Sequence, residues 1–188
     1  MNFELKGKRA IVSAGGSGIG RSIVSEFIKQ GVSVSTCDID KSLVRELKNK
    51  YPQIYAEVVD VADEKSVKEF CAKSIKFSGG LDFLVNNAGV AGPTLSIEEI
   101  NGADWSHCLN VCLSSQFYFV KYCLKHLRES TSASIVNLSS AAGQYGFAFR
   151  TPYASAKWGV IGLTKSLSIE LGKDKIRVNA ILPGLVAG

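Results

Sequence analysis

Tyr153 and Lys157 stand four residues apart, a spacing that places both side chains on one face of a helix. A free phenol is a poor acid or base at neutral pH, but a neighbouring ammonium favours the phenolate. The pair can therefore give or take a proton near physiological pH. Taken alone, this spacing is common and more often belongs to an ordinary helix surface.

Two further polar residues could complete a catalytic set with this pair. Ser140 follows an apolar run that ends at Leu138, and its hydroxyl could polarise a substrate carbonyl through a hydrogen bond. Asn110 lies within a long helical pattern, where a buried carboxamide needs partners and could hold a water near Lys157. A satisfied core amide is an equally good interpretation of Asn110.

A glycine-rich segment occupies positions 13–20, between an apolar run and a helical pattern. Free N–H groups at such a helix start favour the charge of a pyrophosphate. The spacing departs from G-x-G-x-x-G because Arg21 stands where a third glycine would fall, and an ordinary strand–helix turn is the alternative. The residues expected to contact a dinucleotide here are Ser13, Gly15, Ser17, Gly18, Ile19 and Gly20.

The ends of the next predicted strands carry residues suited to the rest of a dinucleotide. Asp38 lies twenty positions after Gly18, where a carboxylate can accept both ribose hydroxyls and repel a 2′-phosphate. A turn residue or helix cap is the alternative, and Lys41 could attract a phosphate, yet the carboxylate lies closer, so we expect NAD rather than NADP. The remaining candidates are Asp60 and Val61, which could contact the adenine, and Asn87, Ala88 and Gly89 after the fourth strand.

The elements that position these residues alternate between short apolar runs and longer amphipathic stretches. Strands are predicted at 9–13, 32–37, 54–59, 82–86, 134–138 and 177–182. Helices are predicted at 19–30, 41–50, 64–76, 103–128 and 153–171. Right-handed crossovers then give an α/β fold, a doubly wound parallel sheet with helices on both faces. If the sheet is Rossmann-like, its expected strand order is 3-2-1-4-5-6.

Length and composition limit the classes of protein that this chain can belong to. Its 188 residues suit one domain, and 46% hydrophobic with 21% charged residues excludes a disordered chain. The net charge of +5 is spread out, which argues against nucleic-acid binding. The sequence has no apolar leader or bilayer-spanning run, and its five cysteines lie in apolar runs. We therefore expect a cytoplasmic protein with reduced thiols and no membrane partner.

The helical stretch 103–128 invites two further interpretations. His107, Cys108 and Cys112 lie close together, but no second ligand pair with zinc spacing exists, so no metal is expected. This stretch and the helix at 153–171 are apolar over more than one stripe, which indicates a subunit contact or else an intramolecular core.

An aromatic-rich segment separates Ser140 from Tyr153. Within it, Gln144 and Tyr145 could line a substrate pocket. Arg150 could meet a substrate carboxylate, although loop packing or an interface is the favoured interpretation for Arg150.

The motifs described so far, in chain order, are the loop 13–20, the turn 86–89, Asn110, Ser140, Tyr153, Lys157, Pro183 and Gly184. Together they resemble the short-chain dehydrogenase/reductase family from the first predicted strand to the last residue. The resemblance implies an oxidoreductase that transfers a hydride between NAD(H) and a secondary alcohol or ketone. It also implies a homodimer or homotetramer formed through the two long helices.

The resemblance assigns roles to particular residues. Tyr153 would be the acid–base, and Lys157 would bind the nicotinamide ribose and favour the Tyr153 phenolate. Ser140 would orient the carbonyl, and Asn110 would hold a relay water. Pro183 and Gly184 would lie beside the nicotinamide.

The sequence departs from the family pattern in three places. Ala14 replaces a glycine, which is tolerable if its φ is negative. Gly188 stands where the family often has a threonine. The chain stops there, so we expect a single domain over 1–188 without the usual C-terminal strand and substrate lid. A truncated, non-catalytic dinucleotide-binding or interaction module of the same fold is the alternative.

Overall fold

The computed structural model describes residues 4–186, which form one parallel sheet with helices on both faces. Every neighbouring pair of strands runs parallel, in the order 3-2-1-4-5-6. The strands are β1 Arg9–Ser13, β2 Ser33–Asp38, β3 Tyr55–Val58, β4 Phe83–Asn86, β5 Ser134–Leu138 and β6 Arg177–Ile181. The predicted doubly wound fold and its strand order are confirmed.

Six α-helices connect the strands, and short 3₁₀ turns occur between them. The helices are α1 Gly18–Lys29, α2 Lys41–Lys50, α3 Glu64–Ser78, α4 Gly102–Leu109, α5 Ser115–Arg128 and α6 Thr151–Glu170. Pro152 in the first turn of α6 starts that helix two residues before the predicted position, because proline is pre-organised for a helix start. Tyr153 therefore lies in the first turn of α6.

The predicted helix at 103–128 is interrupted by a π-helical turn at Asn110–Ser114. Side chains just beyond the turn compete for its backbone carbonyls. Ser115 Oγ donates to the carbonyl of Val111 at 2.6 Å, and Gln116 Nε2 donates to that of Cys112 at 3.0 Å. Such bonds loosen the regular i to i−4 pattern, so one continuous helix becomes α4, the π-helical turn and α5.

The core lies on both faces of the sheet, since successive strand side chains point to opposite sides. On one face Ile11 packs in a cluster with Phe70 of α3 and Phe119 of α5. On the other face Val12 packs in a cluster with Val24 of α1. Strands covered on both faces read as continuous apolar runs, and their loops at the carboxyl end of the sheet are free to form a ligand site.

Among residues 4–186, no helix combines the length and hydropathy needed to cross a bilayer.

Candidate active site

At the turn from β1 into α1, three glycines pack too closely against their surroundings to carry a side chain, namely Gly15, Gly16 and Gly20. A Cβ at Gly15 would collide with Thr36 Oγ1, and a Cβ at Gly20 would collide with the carbonyl oxygen of Ala14. Gly18 has a φ of +52° and nothing within 4 Å of the position of its Cβ. The loop therefore lies tightly against the protein on one side and leaves its backbone open on the other.

Ala14 also adopts the left-handed region, with a φ of +52°. The condition under which alanine would be tolerated here without strain, a negative φ, is therefore not met. The conformation is held by Asn87, whose Nδ2 donates to the carbonyls of Ser13 and Ala14 at 3.1 and 3.0 Å. A left-handed L-residue costs roughly 1–2 kcal/mol, so the loop carries local backbone strain.

Ser13 ties this loop to the one that follows β4. Its Oγ accepts hydrogen bonds from the backbone N–H groups of Asn87 and Ala88, at 2.9 and 3.0 Å. The side chain is buried and lines neither of the two cavities described below. Ser13 thus supports the loops through its hydroxyl.

The first cavity, of about 210 Å³, lies at the carboxyl ends of the first four strands. It brings together six of the predicted cofactor residues, which are Ser17, Asp38, Asp60, Val61, Ala88 and Gly89. His107 and Ile39 also line it, although the sequence patterns did not indicate them. His107 lies one turn before Val111, so both side chains share the helix face that lines this cavity.

Asp38 is held with its carboxylate at the wall of this cavity. The side chain is only 8% exposed, and its two oxygens accept the N–H groups of Gly16 at 2.9 Å and Asp40 at 3.2 Å. Lys41 does not line the cavity, and Arg21 is drawn away to Glu46 at 2.6 Å. The carboxylate is therefore the charged group nearest to the end of β2 on the cavity side.

The start of α1 differs from those of the next two helices. Asp40 caps α2 and Asp63 caps α3, each accepting two backbone N–H groups of the first turn. At α1 the N-cap Ser17 makes no side-chain hydrogen bond, and the first turn carries no acidic residue. N–H groups left without a side-chain cap at a helix start fit a bound phosphate group.

The second cavity, of about 400 Å³, brings together Ser140, Tyr153 and Lys157. Its lining also includes four of the predicted cofactor residues, which are Ile19, Asn87, Pro183 and Gly184. Both cavities share Gly89 and Val90 in their walls. An extended ligand can therefore run from one to the other past the loop that follows β4, which fits a dinucleotide.

Lys157 is buried beneath the tyrosine. The residue is 3% exposed, its Nζ donates to the carbonyl of Leu138 at 2.9 Å, and Nζ lies 5.6 Å from the centroid of the Tyr153 ring. Burial lowers the pKa of Lys157 below its usual value, because desolvation disfavours the ammonium. Ser140 stands opposite at the end of β5, where its Oγ accepts the N–H of Ala142 at 3.2 Å.

Asn110 does not join this group. Its side chain is exposed, its oxygen accepts a hydrogen bond from Ser114 Oγ at 3.4 Å, and it lines neither cavity. The expectation of a buried carboxamide is therefore wrong. Cys108 and Cys112 are buried one turn apart, whereas Asn110, midway between them, is exposed on the opposite side.

Cys112 lies near Lys157 instead. A Cβ built on Gly89 would stand 3.4 Å from Lys157 Nζ and 3.8 Å from Cys112 Sγ. The thiol also contacts the backbone of Val90, with Sγ 3.4 Å from the carbonyl oxygen. The i, i+4 spacing of two buried cysteines was the sequence signal for this inward face. Among residues 4–186, no group of three or more His, Cys, Asp or Glu residues could hold a metal ion.

In the aromatic segment before α6, the residue that lines the cavity is not one of those predicted to line it. Gln144 and Tyr145 are exposed and lie outside the cavity that holds Tyr153, and Tyr145 is 62% exposed. Arg150, for which loop packing was favoured, lines that cavity. Its guanidinium lies over the Tyr153 ring, with Cζ 5.1 Å from the centroid. Gly188 lies outside the described residues.

Comparison with known proteins places the chain in a family. The family model described as short chain dehydrogenase matches residues 8–188. The chain is 36% identical over 188 residues to 3-oxoacyl-[acyl-carrier-protein] reductase FabG of Thermotoga maritima, covering 98% of this chain and 76% of that protein. It is 34% identical over 184 residues to L-fucose dehydrogenase of Bos taurus, covering 98% and 68%.

A solved structure shares the same fold. The crystal structure of levodione reductase superposes with a TM-score of 0.90 at 30% sequence identity, covering 95% of this chain and 72% of the other. The chain therefore belongs to the short-chain dehydrogenase family, as the sequence motifs predicted. This is a family of hydride-transfer oxidoreductases that act on alcohol or carbonyl groups with a nicotinamide dinucleotide.

Proposed function

We propose that this protein is an NAD-dependent oxidoreductase that interconverts a secondary alcohol and a ketone, with Tyr153 as its acid–base. The observation that carries the proposal is the meeting of Ser140, Tyr153 and Lys157 in one cavity. That cavity continues into the one lined by Asp38. A proton-transfer group and a dinucleotide site are thus side by side.

Each part of the cleft suits one part of the cofactor. The uncapped start of α1, with Ser17, Gly18 and Ile19, suits the pyrophosphate. Asp38 suits the adenosine ribose, and its negative charge supports NAD over NADP because it repels a 2′-phosphate. The residues proposed to complete the site are Gly15, Gly20, Asp60, Val61, Asn87, Ala88, Gly89, Pro183 and Gly184, with Ser13 supporting the loops. When bound, the nicotinamide dinucleotide supplies or accepts the hydride.

The chain's own residues handle the proton. In the oxidation direction the Tyr153 phenolate takes the proton of the alcohol hydroxyl, and in reduction the phenol returns it to the substrate oxygen. Ser140 donates its hydroxyl hydrogen to that oxygen and fixes its position. The Lys157 ammonium, 5.6 Å from the ring centroid, stabilises the negative phenolate by its opposite charge. No step is assigned to the exposed side chain of Asn110.

The helices α5 and α6 supply a surface for self-association into a dimer or tetramer. Phe117 and Trp158 are 47% and 52% exposed, and an apolar groove of about 520 Å³ runs between Leu113 and Leu163. Exposed aromatic side chains beside an apolar groove are typical of subunit contacts. The mass of the protein in solution, measured by light scattering, tests this part of the proposal.

A tyrosine substitution tests the catalytic assignment. In Tyr153→Phe, we expect turnover of secondary alcohols and cyclitols to fall by about 10²- to 10⁴-fold, because the proton acceptor is lost. NADH binding, followed by its fluorescence, should stay the same. Tyr51→Phe is the matched control, since its hydroxyl lies 3.2 Å from Ser25 Oγ and outside both cavities. Retained turnover in Tyr153→Phe would refute the assignment. NADH binding without any turnover in the unaltered protein would instead favour the non-catalytic module.

A further inference from the structure

The cavity around Tyr153 is lined by two cations and no carboxylate. Arg150 and Lys157 both face it, whereas the described lining residues include no Asp or Glu. Fixed positive charge in a concave, poorly solvated site raises the local concentration of anions. The acidic side chains of the cleft, Asp38 and Asp60, line the other cavity. The two halves of the cleft therefore carry opposite charge.

Arg150 differs from the other partly buried arginines of residues 4–186. Arg9 pairs with Asp82 at 2.9 Å, and Arg21 pairs with Glu46 at 2.6 Å. Arg150 has no carboxylate partner in this part of the chain. Its Nη2 donates to the backbone carbonyl of Ala91 at 2.6 Å, and its Nε is buried without a hydrogen-bond partner. No described protein group accepts a hydrogen bond from Nη1.

The position of the guanidinium relates it to the reacting atoms. It lies over the same phenol ring that Lys157 approaches, with Cζ 5.1 Å from the ring centroid. The Nη2 bond to Ala91 fixes the planar group at the cavity wall. An anionic group held by Arg150 must therefore belong to a part of the substrate close to the carbon whose oxygen meets Tyr153. A planar carboxylate matches the guanidinium better than a single charged point does.

We propose that Arg150 anchors a carboxylate, so that the substrates are short oxo acids and the corresponding hydroxy acids. The inference rests on the proposed function, because it concerns the same cavity. The carboxylate binds to Arg150 while the carbonyl oxygen meets Ser140 and Tyr153. Two fixed points set the orientation of the substrate, and the positive wall discriminates against neutral ketones.

The test compares acids with neutral molecules that contain the same carbonyl group. Pyruvate, acetoacetate and levulinate place the carboxylate at increasing distance from the ketone, and the methyl ester of each removes its charge. We expect a larger kcat/KM for one of the acids than for its ester. In Arg150→Met that kcat/KM should fall by about 10- to 100-fold, mainly through KM, with the ester nearly unaffected. Arg150→Lys keeps the charge but not the planar guanidinium. Its kcat/KM for the acid should therefore lie between the values for the unaltered protein and for Arg150→Met.

Controls separate this role from two others. Arg177→Met is the matched variant, because Arg177 is exposed at the start of β6, at the other end of the sheet. If Arg150→Met lowers kcat/KM for acid and ester equally, Arg150 only supports Tyr153 or the Ala91 loop, and the proposal is wrong. If it weakens NADH binding, the guanidinium serves the cofactor, which also overturns the proposal.

A binding measurement distinguishes failure of the inference from failure of the proposed function. Tyr153-dependent turnover of esters with no preference for any acid would leave the function standing and sink the carboxylate anchor. If no compound turns over, titration of acetoacetate and of methyl acetoacetate into the NADH-bound protein still decides. Tighter binding of the acid, lost in Arg150→Met, supports the anchor, and equal binding of the two overturns it.

Discussion

The two cavities of the cleft are built by different means. Around Asp38 the walls are loops, and the polar contacts are backbone N–H groups of Gly16 and Asp40. Around Tyr153 the polar groups are side chains: Tyr153 and Lys157 belong to α6, Arg150 precedes that helix, and Ser140 follows β5. The first cavity carries negative charge and the second positive charge. A backbone-built site suits a constant ligand, whereas a site of side chains can change its substrate by single substitutions.

The largest effect on activity is expected in Lys157→Met, which alters the positively charged cavity around Tyr153. Removing the ammonium below Tyr153 should lower kcat by about 10²- to 10⁴-fold, because the phenolate loses its nearby cation. Lys173→Met is the control, since Lys173 is exposed in the turn after α6. Activity that survives Lys157→Met would contradict the proposed role of Lys157.

The same lysine predicts a pH dependence of stability. Its folded-state pKa lies below the ordinary 10.5, so the unfolded chain binds more protons between those two values. The free energy of unfolding contributed by Lys157 should therefore rise with pH from the lowered pKa up to about 10.5. Urea unfolding at several pH values measures this. The rise should be smaller in Lys157→Met, and an unchanged slope would contradict the burial of a charged amine.

The next largest effect is expected in Asp38→Asn, which alters the negatively charged cavity. The amide keeps the size of the side chain but removes the charge that repels a 2′-phosphate. The ratio of kcat/KM with NADP to that with NAD should rise by about 10- to 100-fold. Glu170→Gln removes one negative charge at the end of α6 and serves as the control. A protein that already prefers NADP would contradict the proposed role of Asp38.

Asn110→Ala should have a small effect, because the side chain is exposed and lines neither cavity. We expect kcat/KM to remain within about twofold of the unaltered protein, as for most exposed substitutions. Cys112→Ala, which changes the buried neighbour of Lys157, should have the larger effect on activity. The reverse order would restore Asn110 to the catalytic set.

The smallest effect is expected in the loop after β1, in Ala14→Gly. Glycine accepts the φ of +52° without a Cβ clash, so the free energy of unfolding should rise by about 1 kcal/mol. Ala103→Gly, at a helical position in α4, should change stability in the opposite direction. Thermal unfolding of both variants checks the signs. Destabilisation by Ala14→Gly would show that the left-handed backbone is not strained.

The sequence predictions were accurate where adjacent residues determine a feature. They failed where the feature depends on particular side-chain hydrogen bonds. β1, β5 and α2 begin and end where predicted, and α2 owes its start to the adjacent cap Asp40. The left-handed Ala14 depends on Asn87, 73 residues away, which no local pattern reveals. The break after α4 depends on side-chain bonds of Ser115 and Gln116 that a periodic apolar pattern does not show.

The candidate site was likewise predictable only in part. Ser140, Tyr153 and Lys157 stand at strand and helix ends whose positions follow from periodicity, so their meeting could be foreseen. Which of Asn110 and Cys112 lies near Lys157 depends on the direction of each side chain around the helix, and residue type alone does not reveal that direction. The role proposed for Arg150 depends on the absence of a carboxylate partner among the described residues. Only the folded chain reveals that absence.

The hydroxyl of Ser13 has a consequence for the cost of ligand binding. It holds the N–H groups of Asn87 and Ala88, so the loop that borders both cavities is already fixed before any ligand arrives. Ordering a loop on binding consumes conformational entropy, and a loop that is ordered beforehand avoids that loss. These two amides should therefore exchange slowly with deuterium in the ligand-free protein, and ligand binding should add little further protection.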